Sequence, residues 1–285
     1  MTYLLNPKIT EPQDARIPPP WPIDDAALFA FREDQWHSQV SKRTEPSDKH
    51  HDVVLRFLSH DDLAELVDLH RKVVENLPDR EIFRADRPDF IADHISRRGA
   101  TVGSFVGNQL IGYAIVSFPH KDADNLSRFT ELSAQSALRV AHFDGAAVHP
   151  NFRGSSLHQT MNRIRGHYAL LAGYHHLMGT VSPLNPYSLG NHLRTGFRVK
   201  AHAICYGDMR RYIIHRDGIP TTNHRVVDGS DRVVKCPVDD FETVNRYLDQ
   251  GLVGFDVHRT EEKNYELLMA SPDSIVSDTD QVRPE

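Results

Sequence analysis

Residues 148–164 read VHPNFRGSSLHQTMNRI. An apolar, strand-like run ends at Val148, Pro150 breaks it, and Arg153, Gly154 and two serines lead into an amphipathic segment. A helix that starts there leaves its first N–H groups without acceptors, and its dipole adds to their pull on an anion. Arg153 adds a cation, and Gly154 lets the backbone come close to a bulky ligand. The chemistry in reach is the binding of a phosphate or pyrophosphate. An ordinary strand-to-helix turn with one helpful glycine is an equal reading of the loop alone, because phosphate loops usually carry more than one.

Asp144 is the second chemical candidate, a carboxylate embedded in the apolar run AHFDGAAV. Desolvated there, it would have a raised pKa and could take a proton near neutral pH. A bulge or turn residue beside Gly145 is the equal alternative. The 18 histidines raise the question of a metal. No HExxH and no paired Cys/His spacing occurs, and the adjacent pairs His50-His51 and His175-His176 do not share a helix face, so no metal site is expected. Cys205 and Cys236 make no disulfide framework and fit a reducing cytoplasm; Cys205, in a late strand without a His or Asp partner in view, reads as core.

These residues need elements to position them. Residues 52–58 read as a strand, and Ser59 as the N-cap of a helix on which Leu63, Leu66, Leu69, Val73 and Leu77 recur at helical spacing until Pro78. Residues 87–99 suggest a second helix closed by Gly99. Residues 101–106 and 110–118 form a strand, tight turn, strand pattern, 120–137 a polar loop with a helical turn, and 139–148 the next strand. Leu157, Met161, Ile164, Tyr168 and Leu171 step by four and three, which predicts a helix over 155–172. A strand at 176–181, a short helix within 185–197 stopping at Gly196, and a hairpin of 197–207 with 209–216 complete the order. One strand–helix–strand crossover among antiparallel strands is α+β character.

The flanks differ. Residues 1–50 are rich in Pro and charge; PPPWP at 18–22 reads as extended polyproline, and 24–36 as a short helix in an otherwise partly extended arm. Residues 217–270 suggest a small strand–helix–strand extension, with 271–285 acidic, polar and disordered. That extension could cap the sheet edge or pair with a second copy to make a homodimer. The net charge of −6 supplies no basic face for nucleic acid, no apolar run approaches the roughly 18 residues of a membrane span, and no basic n-region with an apolar core opens the chain, so a cytoplasmic location is expected.

Val148, Pro150, Phe152, Arg153 and Gly154, followed by a helix, resemble the central motif of the GNAT superfamily, the Gcn5-related N-acyltransferases. Asn185 opening a short helix that ends in Gly196-Phe197 is similar to the second motif of that family. The resemblance covers about 51–216. It implies the GNAT fold, a mixed and mostly antiparallel sheet with helices on both faces. It also implies an acetyl-CoA or other acyl-CoA cofactor. Its pyrophosphate would rest on Arg153, Gly154, Ser155, Ser156, Leu157 and His158. Its pantetheine would run beside the backbone of Ala147 and Val148, where the sheet splays, with Asn185 and Ser188 alongside. Asp144 takes the place of the family's amine-activating carboxylate. His192 stands where the family usually has a tyrosine acid, with Tyr187 as the alternative. The departures are Ser156 and His158, where the family has small residues.

The expected activity is acyl transfer to a primary amine of a small molecule, amino acid or peptide. The competing reading is a catalytically inactive module that binds CoA or a partner. The family's acceptor regions correspond to 78–90, 119–137 and 200–212. In the first, Asp79, Arg80, Glu81, Arg84, Asp86 and Arg87 mix both signs, which points away from a polyionic acceptor and fits a solvated face equally well.

Overall fold

A computed structural model of the chain describes residues 23–45, 49–95, 97–218, 221–226 and 233–279. The order is α1 (Asp25–Glu33), β1 (Trp36–Ser41), β2 (His50–Phe57), α2 (Leu63–Glu75), α3 (Pro88–Asp93), β3 (Gly99–Val106), β4 (Gln109–Ser117), α4 (Ala134–Ala137), β5 (Val140–Val148) and α5 (Leu157–Leu171). Then come β6 (His176–Val181), α6 (Pro186–Leu193), β7 (Arg198–Cys205), β8 (Met209–Asp217), β9 (Thr221–Val226), β10 (Val234–Pro237), α7 (Phe241–Asp249), β11 (Val253–Arg259), β12 (Tyr265–Ala270) and β13 (Ile275–Thr279).

Eleven strands form one sheet in the order β1-β2-β3-β4-β5-β6-β8-β7-β11-β12-β10. Every described pairing in it is antiparallel except β5 with β6, which α5 connects as a crossover. Helices cover both faces, because alternate residues of each strand point opposite ways. On β4, Ile111, Ala114 and Val116 pack into the core that includes Met161, Ile164 and Tyr168 of α5. Tyr113 and Ile115 pack with Leu66, Leu69 and Val73 of α2 on the other face. The helical spacing read from those leucines is thus the seam of α2.

Gly99 does not close a helix. The helix expected over 87–99 ends at Asp93, and Gly99 begins β3. A Cβ on Gly99 would lie 1.9 Å from the Val116 carbonyl oxygen, so the glycine serves a close strand approach rather than a cap. Ser59 does open a helical segment: its N–H donates to Asp62 Oδ2 at 2.8 Å, ahead of α2.

Both flanks join the sheet. PPPWP lies outside the described residues, but α1 follows the Asp24 cap and β1 pairs with β2 at the sheet edge. Phe31 of α1 stacks near Trp36 and Phe57, which ties that edge to the core. On the C-terminal side Gly254 of β11 bridges Val199 of β7, and Val238, Val244, Val257, Leu267 and Met269 share the main core. The extension therefore caps the edge left by the β7–β8 hairpin. Residues 275–279, expected to be disordered, instead form β13 against β9. Ile275 packs beside Phe255, Leu268 and Ala270, an apolar anchor that the acidic surroundings hide from a composition-based reading.

Candidate active site

β5 and β6 pair only from Val140↔His176 to Phe143↔Gly179. Beyond Phe143 they part, and the β6-side backbone of 144–148 is open to a cleft of about 1610 Å³. The loop 152–159 closes one end of this cleft. Asp86, Asp144 and Tyr206 stand along its walls, and the β11–β12 turn with Arg259 and Lys263 overhangs it.

At the loop end of the cleft, β5, a loop and α5 follow one another in the order expected from the sequence. Pro150–Phe152 make a single 3-10 turn, and Gly154 (φ 88°) bends the chain with nothing within 4 Å of a Cβ position. The N-cap of α5 is Ser156, whose side chain makes no capping bond, so the first N–H groups of the helix face the cleft without side-chain partners. Ser156 itself is left-handed (φ 60°, ψ 2°), the conformation for which glycine is suited. The absent glycine therefore costs backbone strain rather than donors. Leu157 is buried in the core and offers the cleft its backbone.

Arg153 donates through Nε to the Val148 carbonyl at 3.2 Å. Burial and the charge of Arg43 lower its pKa, so two cations meet at the anion end. Arg43 also borders the cleft, and its backbone N–H donates to the Asn151 carbonyl at 2.7 Å. No motif marked Arg43, because it reaches the loop from the N-terminal flank. These groups fit a pyrophosphate: a cationic rim, free helix N–H donors and a left-handed turn with room above it. The edge at Ala147 and Val148 pairs with β4 on one side and has no strand on the β6 side, where it fits an extended amide chain.

His158 turns away from the loop toward α6. Its Nδ1 accepts from Asn191 Nδ2 at 3.2 Å, and burial lowers its pKa to about 3. His192 lies behind it with the ring centroids 5.1 Å apart, 5% exposed and between Phe143 and Phe197. Asn162 donates to His192 Nδ1 at 3.3 Å, and burial holds this imidazole neutral. Tyr187, by contrast, is 67% exposed at the cleft mouth, its ring against Tyr265 of the C-terminal extension at 5.4 Å. Asn185 caps α6 by accepting from the Ser188 N–H at 3.0 Å, which leaves its amide nitrogen toward the cleft without a protein acceptor among the described residues.

Asp144 occupies a bulge. Between the pairs Ala114↔Ala146 and Val116↔Phe143, β5 has two residues opposite the single Ile115. Bulges re-aim side chains, and the Asp144 carboxylate borders the cleft while accepting from Ser117 Oγ. The buried guanidinium of Arg165 fastens the bulge: its Nη1 donates to the carbonyls of Ile115 and Asp144, and its Nη2 to Asn162 Oδ1 at 2.7 Å. The bulge reading of Asp144 is thus the observed one, and the bulge places the residue on the wall of the cleft.

The carboxyl whose pKa moves furthest toward neutrality is Asp86. Burial, then the charge of Asp144, push it to about 7, with Arg84 opposing. Its backbone N–H donates to His70 Nε2 at 3.1 Å, and His70 Nδ1 lies 2.6 Å from the Tyr113 hydroxyl. A neutral His70 that accepts at Nε2 carries its proton on Nδ1, so it donates to Tyr113. Sequence reasoning placed Asp86 in a charge run of mixed sign, an acceptor region by resemblance or else a solvated face; the packing of that loop onto Gly145 and α2 is what buries its carboxyl.

Tyr206 completes the cluster. It sits in the β7–β8 turn with φ 55°, its hydroxyl 3.2 Å from Thr180 Oγ1 and its ring 4.2 Å from the Arg84 guanidinium carbon. Burial, and with it the charge of Asp144, raises its pKa. The only local signal was a tyrosine before the turn glycine.

One parallel pair in an otherwise antiparallel sheet, opening beside a strand–loop–helix turn, is the mixed, mostly antiparallel arrangement that the resemblance to the GNAT superfamily implies. No protein-family model and no curated protein sequence matches the chain. Among solved structures it is similar to an acetyltransferase of the GNAT family from Streptococcus pneumoniae, at 15% identity and TM-score 0.45 over 58% of this chain and 99% of that one. It is also similar to the GNAT domain of S. lividans PAT, at 14% identity and TM-score 0.44 over 64% and 97%. A third is the aminoglycoside acetyltransferase AAC(6')-Ib in complex with coenzyme A and kanamycin, at 16% and 0.43 over 58% and 94%.

Proposed function

We propose that this chain is an acyl-CoA-dependent N-acyltransferase, with acetyl as the acyl group, acting on a primary amine of a small molecule, amino acid or peptide. The observation that carries this reading is one continuous cleft. It has a cationic helix N-terminus at one end, an unpaired strand edge along its side and two apposed carboxylates, Asp86 and Asp144, where that edge ends.

Bound acyl-CoA supplies the acyl group as a thioester. The N–H groups at 154–158, with Arg153 and Arg43, hold its pyrophosphate; the backbone of Ala147 and Val148, with Asn185 and Ser188, lines its pantetheine arm. A backbone N–H of the open β5 edge near Val148 would be the donor for the thioester carbonyl oxygen and would stabilise charge there. Asp86, which burial and then the charge of Asp144 hold at a pKa of about 7, takes a proton from the incoming ammonium, and Asp144 attracts the cation. Tyr206, bonded to Thr180 beside these carboxylates, would return a proton to the departing sulfur, with Tyr187 at the cleft mouth as the alternative; the buried, neutral His192 is too weak an acid to do so.

Release of thiol from acetyl-CoA, measured with a panel of amines, tests the reading: amine-dependent release that falls with Asp86→Asn supports it. Binding of CoA without release for any amine favours the inactive CoA-binding module. The buried, neutral His192 in place of a tyrosine acid is the observation that keeps that second reading alive.

A further inference from the structure

At the end of β6 and β8 remote from the cleft, three metal-ligating side chains converge. The antiparallel register pairs His176 with Asp217 and Met178 with His215. Residues two apart on one strand share a face, so His176, His215 and Asp217 project from the same side of the sheet. Asp217 Oδ1 contacts His176 Nδ1 and lies 3.3 Å from His215 Nε2, and the three ligand atoms fall within 4.8 Å of one another. Among the described residues this is the one cluster of three such groups at that spacing.

We propose that His176, His215 and Asp217 form a binding site for a divalent transition metal, Zn²⁺ being the ion that fits best. Two imidazole nitrogens and a carboxylate oxygen suit a borderline ion, and three protein ligands leave a fourth, solvent-facing position for water. Tetrahedral bonds of about 2.0–2.2 Å set ligand atoms roughly 3.4 Å apart, so the His176–Asp217 contact opens, the His215–Asp217 spacing already fits, and any wider spacing closes in.

A second observation points the same way. His215 is 7% exposed, and its buried Nε2 faces the Asp217 carboxylate at 3.3 Å as an ion-pair contact that falls short of hydrogen-bond geometry. A buried polar nitrogen left so is costly, and a cation between it and Asp217 removes that cost. The exposed Asp217 leaves the site open to solution. Arg216, between the two β8 ligands, points to the opposite face, where its guanidinium lies 5.0 Å from the Phe197 ring. His176 lies four positions before the cleft-lining Thr180, roughly 13 Å along a strand. The metal therefore clamps the ends of two sheet-centre strands and takes no part in acyl transfer.

The test uses untagged full-length protein stripped with a chelator. Calorimetry with Zn²⁺ alone should show one site per chain, and Co²⁺ should give the intense visible bands of a four-coordinate ion. Asp217→Asn and His215→Gln should each weaken Zn²⁺ by on the order of tenfold or more and abolish the Co²⁺ bands, with acetyl-CoA binding unchanged. Asp217 is exposed, so its variant carries the test if the His215 variant fails to fold. Zn²⁺ binding of the same stoichiometry and affinity in wild type and Asp217→Asn would overturn the proposal and leave scattered surface histidines as the explanation. So would a proton filling the site instead, seen as no metal uptake by wild type at any pH from 6 to 8.

Discussion

Gly145 makes room for Asp86. A Cβ on Gly145 would lie 2.5 Å from Asp86 Oδ2, so the absence of a side chain on the β5 bulge is what brings the loop carboxylate against Asp144. Gly145→Ala should push the Asp86 carboxylate away and lower its pKa toward the ordinary carboxylate range. Turnover should drop at least about tenfold, the scale of a misplaced proton acceptor. CoA affinity, read by calorimetry, should stay as in wild type, because the anion loop lies at the other end of the cleft.

The raised pKa of Asp86 has opposite consequences for activity and for stability. As a proton acceptor it must be ionised, so kcat/KM should rise with pH through about 7 and then level off, and Asp86→Asn should erase that limb. For stability the folded value lies above the unfolded value of 3.8, so the folded state binds the extra proton. Stability from this group is full below about 4 and is lost as pH rises from there to about 7. Asp86→Asn should therefore raise the Tm at pH 8 relative to wild type and change it little at pH 4. A thermal-melt series across pH, run beside the rate profile, checks both signs.

Ser156 carries the strain that the missing loop glycine implies. Ser156→Gly relieves the left-handed backbone and should stabilise the fold by about 1 kcal/mol, seen as a higher midpoint in urea. Acetyl-CoA affinity should be retained, since the substitution leaves the backbone N–H in place.

Arg43 and Arg153 are placed to share one anionic ligand. Each Ala variant should weaken CoA on the order of tenfold, and the double variant should flatten the dependence of affinity on salt, because exposed charge contacts are screened. Dephospho-CoA separates their roles: if they grip the pyrophosphate, it should suffer the same loss as CoA.

Much of the cofactor end could be read along the chain because it is local. Strand, Pro150, Arg153, Gly154 and an amphipathic helix are consecutive, and consecutive residues with the right spacing dictate a helix N-terminus wherever the rest of the chain goes. The extent of α5, the cap at Asn185 and the β7–β8 hairpin follow from the same short-range rules. Gly99 was misread for the opposite reason: a glycine after a helical pattern resembles a cap until the strand opposite shows how close it comes.

What tertiary structure alone decided is which distant groups meet. Asp86 gains its raised pKa because a loop packs it onto the Asp144–Gly145 bulge, and Arg43 reaches the loop before α5 because the N-terminal flank adds a strand. His176 has no metal-ligand spacing with His175, its neighbour in sequence; its partners are His215 and Asp217, set beside it by the β6–β8 register. Periodicity fixes which face of an element a side chain occupies. The field and the ligands it then encounters depend on what long-range pairing sets opposite that face, and no local pattern encodes the partner.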